Sequence, residues 1–76
     1  MSSKILLRID ASTPDGLRQL REARGLNLDE VANEADIDPT WLSRVERRLR
    51  PMTPEQITAI REAIEAIVAR RAEGNR

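Results

Sequence analysis

The chain has 76 residues, with 13 Lys plus Arg balanced by 13 Asp plus Glu, so its formal net charge is zero. It contains no Cys and no His, which excludes disulfide frameworks and thiolate metal sites and removes the commonest general base and metal ligand. No run approaches about 18 apolar residues, the N-terminus lacks the zones of a secretory signal, and hydroxyls without His or Cys form no nucleophile–base pair. The expectation is one small cytoplasmic domain, not an enzyme, with no cofactor, metal or membrane segment.

Residues 1–12 read as an N-terminal arm. Within it Ile5, Leu7 and Ile9 alternate, which suits a strand. No second strand is legible in the chain, and a lone strand leaves its backbone donors and acceptors open. Three readings follow: an arm packing its apolar residues on the helices, antiparallel pairing with a second copy, or docking to a different protein partner.

The domain proper spans 13–73. Thr13-Pro14-Asp15 is a cap, a first-turn proline and a dipole-matched acid, so a helix is expected over about 14–24, stopped by Gly25. Asn27 caps a short second helix at about 28–35. Asp36-Ile37-Asp38 reads as a tight turn, and Asp38-Pro39 opens a third helix at about 39–48, with Leu42, Val45 and Leu49 on its inward side. Arg50-Pro51 ends it, because the residue before proline avoids helical dihedrals. Thr53-Pro54-Glu55 starts the last helix, whose apolar stripe Ile57, Ile60, Ile64, Ile67 and Val68 runs to about residue 72. Residues 74–76 form a frayed tail.

Two short helices joined by a tight turn describe a helix-turn-helix. At roughly 100° per residue with Leu42 at zero, Ser43 falls at about 100°, Arg47 at about 140°, Thr40 at about 160° and Arg44 at about 200°. That outward face carries two guanidiniums and two hydroxyls, groups that reach guanine edges, other bases and phosphates. Glu46, at about 40°, lies on the core flank.

The stretch Leu17-Arg18-Gln19-Leu20-Arg21-Glu22-Ala23-Arg24-Gly25-Leu26-Asn27-Leu28-Asp29-Glu30-Val31-Ala32, with Trp41-Leu42-Ser43-Arg44-Val45-Glu46-Arg47 and Arg50-Pro51, resembles the lambda-repressor-like (Cro/C1, XRE-type) helix-turn-helix domains over about residues 14–68. The resemblance implies an all-α bundle of about four helices, here with a short N-terminal extended arm or strand. It implies a structural salt bridge between Arg21 and Glu46, base-facing roles for Pro39, Thr40, Ser43 and Arg44, and phosphate contacts from Asn27, Leu28, Arg47, Arg48 and Arg50. Arg48 stands where the family usually has Gly, so either it adopts left-handed dihedrals at a cost of roughly 1 kcal/mol or the third helix runs on. Asp36 likewise replaces a common turn Gly, which Asp tolerates better than most residues.

Trp41, at about 260°, flanks the core, and its indole N–H also suits a phosphate at the groove edge. Residues 1–43 hold 5 bases and 8 acids, whereas residues 44–76 hold 8 bases and 5 acids, with four arginines in 44–50. Domains this small gain stability from a partner chain, and Ile60, Ile64 and Ile67 are expected as seam residues of a homodimer. The function expected is a bacterial or phage-encoded regulator binding double-stranded DNA on an inverted repeat. The alternative is a protein-interaction module, such as an antirepressor or an antitoxin docking a partner.

Overall fold

A computed structural model describes residues 10–74 and arranges them as four helices: α1 (Pro14–Ala23), α2 (Leu28–Ala35), α3 (Pro39–Glu46) and α4 (Pro54–Gly74). No strand occurs among the described residues. Ile5, Leu7 and Ile9 of the arm, and Asn75 and Arg76 of the tail, lie outside them. The last helix includes Gly74, two residues beyond the end expected from its apolar stripe.

Every helix starts on a side chain that accepts an otherwise orphaned N–H. Thr13 Oγ1 accepts from Gly16 N at 3.0 Å, and Asp38 Oδ1 accepts from Thr40 N at 2.9 Å. Asn27 and Glu30 form a reciprocal capping box, with Glu30 N donating at 2.8 Å and Asn27 N at 3.0 Å. Thr53 and Gln56 repeat that arrangement at the head of α4, at 2.9 and 3.1 Å.

The first three helices also end alike. Gly25, Asp36 and Arg48 have φ values of 71°, 59° and 64°. After each left-handed residue the next N–H reaches back five residues: Leu26 to Arg21 at 3.1 Å, Ile37 to Ala32 at 2.9 Å and Leu49 to Arg44 at 2.8 Å. These are Schellman closures, which normally bring the residue after the turn into apolar contact with the helix. Leu26 is buried and Ile37 packs on the core, but Leu49 stays 63% exposed. The inward position expected for Leu49 is therefore corrected. α3 stops at Glu46, and the left-handed turn at Arg48 swings Leu49 off the helical stripe.

Leu17, Leu26, Val31, Ala32, Leu42, Val45, Ile60, Ala63, Ile64 and Ile67 make the core, with Leu20, Ile57 and Val68 packed around it. Ile60, Ile64 and Ile67 are 2%, 1% and 4% exposed. The expectation that they form a dimer seam is thus overturned: the stripe of α4 is covered by the chain's own α1 and α2. Outside the core, Arg70 of α4 pairs with Glu34 of α2 at 2.7 Å, and Arg71 pairs with Glu30.

Gly16 was not legible as a key position. It is buried in the first turn of α1, where an added Cβ would lie 1.5 Å from the Asp10 carbonyl oxygen and 2.4 Å from its carbon. The chain therefore crosses the head of α1 in backbone-to-backbone contact, held by Thr13 Oγ1 donating to Asp10 O at 3.2 Å. Since the obstacle is main chain, Gly16→Ala is expected to lower stability by about 1–3 kcal/mol, read as a drop in denaturation midpoint. An unchanged midpoint would show that residues 10–13 do not hold this path.

Hydrogen bonding from the Asn27 backbone, aided by Arg71, holds the Glu30 carboxyl below its ordinary range, and the Arg70 guanidinium does the same for Glu34. A depressed folded value means stability is fully present above the unfolded value, about 4.3, and is lost as pH falls through the lower folded one. Melting temperature should therefore drop on acidification below that range, and Glu34→Gln should shrink the drop.

Candidate nucleic-acid interface

The geometry of the α2–α3 unit follows from how α1 grips α3. Arg21, near the end of α1, extends toward Glu46, the last residue of α3. Its Nε donates to Glu46 Oε2 at 2.9 Å and its Nη2 to Oε1 at 2.8 Å, while Nη1 donates to the Leu26 carbonyl at 3.0 Å. The two side chains are only 12% and 5% exposed. Planar forks of this kind fix orientation as well as distance, and hydrogen bonding to Glu46 raises the Arg21 pKa further above its ordinary value despite burial. The α1–α2 turn and the end of α3 are thereby tied to one guanidinium.

The turn between α2 and α3 passes through Asp36, φ 59° and ψ 48°, and Ile37 anchors it on the core. Asp38 then caps α3, so that Leu42 and Val45, both 0% exposed, point inward. Thr40 and Arg44 lie on the opposite, exposed side, Ser43 is half-buried at its edge, and Pro39 is exposed at the start of the helix. No acidic side chain pairs with Arg44, Arg47 or Arg50 among the described residues.

The remaining candidate residues divide by how far they are already engaged. The side-chain oxygen and backbone N–H of Asn27 are taken by the capping box. The Leu28 side chain packs on the core, and its N–H belongs to the open first turn of α2. Trp41 is half-buried, packs on the core and lines a shallow apolar groove with Ala35, Ile37, Ala59 and Ile60. Arg47 Nε donates to the Ser43 carbonyl at 3.4 Å, across the C-terminal turn of α3. Arg50 is exposed on the loop after α3, next to Pro51. Arg48 instead folds back onto α1, where it pairs with Asp15.

Sequence reasoning missed Asp15 as anything other than a dipole-matched acid in the first turn of α1. Nothing in the periodicity signals a pair that spans 33 positions. No group of acidic residues suited to holding a metal ion occurs among the described residues, and no described helix is long and apolar enough to cross a membrane.

A family model described as a helix-turn-helix domain matches residues 15–74, which takes in all of α2, α3 and α4 and all but the first residue of α1. No curated protein and no solved structure matches the chain.

The Arg21–Glu46 pair supplies the test of this architecture. Removing one partner leaves the other charged, buried and unpaired, so Arg21→Ala should cost about 3 kcal/mol. Arg21→Lys, which keeps the charge but loses the planar fork, should fall between the two. Thermal denaturation ranks the three proteins, and equal midpoints would show that the pair does not hold α1 to α3.

Proposed function

Because this chain belongs to the helix-turn-helix domain family, we propose that it is a transcriptional regulator of the repressor type that reads double-stranded DNA with α3 in the major groove. The observation that carries this reading is the outward face of α3. It presents Thr40, Arg44 and the edge residue Ser43, is followed by Arg47 and Arg50, and is free of acids. Arg44 is assigned to a guanine edge, where a guanidinium forks onto O6 and N7. Pro39, Thr40 and Ser43 lie beside it as further base-facing groups. Arg47 and Arg50, with the side-chain NH2 of Asn27 and the first-turn N–H of α2 at Leu28, are assigned to phosphates.

Zero net charge does not oppose this reading, because affinity for phosphate depends on where the cations lie. Two of the acids on α2, Glu30 and Glu34, are neutralised by Arg71 and Arg70, whereas the arginines at 44, 47 and 50 have no such partner among the described residues. A single α3 touches few base pairs, so the regulator is proposed to act as a homodimer. Its two α3 helices would then sit one helical turn apart, about 34 Å, on an inverted repeat. The buried isoleucines of α4 leave that contact to another surface.

A gel-shift titration on the DNA upstream of the protein's own gene, with random competitor at two salt concentrations, tests the reading. A shift that resists competitor and weakens with salt is expected. In that assay Arg44→Ala should lose about 1–3 kcal/mol at the operator and relax specificity at one base pair. Arg50→Ala should weaken all DNA nearly equally and flatten the salt dependence by about one unit. A complete absence of shift at micromolar protein in low salt would sink the reading and favour a protein partner.

A further inference from the structure

We propose that Asp15 competes with the DNA backbone for Arg48, holding one arginine of the basic loop away from phosphate until DNA displaces it. The proposal rests on the DNA-binding reading above and adds to it a residue of α1, remote in sequence from α3, that sets affinity.

Three observations converge on the pair. Arg48 lies in the left-handed region at φ 64°, a conformation unfavourable for a residue with a Cβ. From there its guanidinium points back to α1, where Nε donates to Asp15 Oδ1 at 3.1 Å and Nη2 to Oδ2. The carboxylate thus receives the same two-point fork that a phosphate would receive. The third observation is distribution. Residues 44–50 hold four arginines and one acid, Glu46, which is committed to Arg21. Asp15 is the one other acid that reaches this cluster among the described residues, and it takes Arg48 alone.

Such a pair is suited to exchange rather than to permanent anchoring. The Arg48 side chain is 73% exposed and that of Asp15 33%, so water screens the attraction and little free energy opposes opening. Arg48 shares its surface with Pro14, Leu49, Arg50, Pro51 and Met52, so a phosphate approaching Arg50 meets Arg48 as well. Asp15, once released, stays at the N-terminal turn of α1, where the helix dipole favours its charge. DNA therefore gains a phosphate contact at Arg48 only by breaking the contact with Asp15.

Asp15→Asn removes the competitor while leaving Arg48 in place. It should tighten binding to operator and random DNA alike by about twofold to fivefold, the factor to which an exposed ion pair's free energy converts, and the gain should fade as salt rises. The gain should vanish in an Arg48→Gln background, which itself should weaken binding on every sequence. An equal gain with and without Arg48 would overturn the proposal in favour of general charge repulsion. Weaker binding by Asp15→Asn would overturn it in favour of a strut that positions the loop. Melting curves of each variant confirm that only folded protein is compared. Wild-type protein that shifts no DNA would bring down the DNA-binding reading itself, an outcome separate from the other two.

Discussion

The buried ion pair between Arg21 and Glu46 is the constraint on which the geometry of the proposed interface depends. α2 and α3 have eight residues each, too short to be helical alone in water, so their relative placement must come from tertiary contacts. Apolar packing of Leu42 and Val45 supplies burial but little directional control. The guanidinium supplies direction, because one rigid plane holds both carboxylate oxygens of Glu46 and the carbonyl of Leu26. A change at Arg21 would therefore alter the angle of α3 without touching a residue on its outer face.

The same economy of local chemistry governs the helix ends. Three Schellman closures turn the chain after α1, α2 and α3, yet only Gly25 carries the residue best suited to left-handed dihedrals. Asp36 is tolerated because a short polar side chain is less strained there. Arg48 is the costlier choice, and its ion pair with Asp15 lies where that turn leaves the side chain. The exposure of Leu49 follows from the same turn, which carries it away from the inward stripe of α3.

Charge is arranged by position rather than by total. A division into an acidic first half and a basic second half overstates what is available to a polyanion, because Arg70 and Arg71 of α4 are engaged by Glu34 and Glu30 of α2. What remains unpaired near α3 among the described residues is the group Arg44, Arg47 and Arg50. The acids of α2 thus help to fasten the bundle, and their repulsion of phosphate is reduced by the same contacts.

Local signals were enough to read most of the fold. Caps at Thr13, Asn27, Asp38 and Thr53, prolines at first helical positions and apolar residues at three- and four-residue spacing are chemistry within one turn of the backbone, so the starts of all four helices were legible. The outward set on α3 was legible for the same reason, since helical periodicity assigns faces without knowledge of the partner. Contacts between distant segments were not legible from spacing. The burial of Ile60, Ile64 and Ile67 depends on how α1 and α2 close over α4, and the roles of Gly16 and Asp15 depend on backbone and side chains that meet only after folding. An amphipathic pattern establishes that a face will be covered, but only the tertiary structure decides what covers it, because burial depends on the mutual placement of elements and periodicity describes one element at a time.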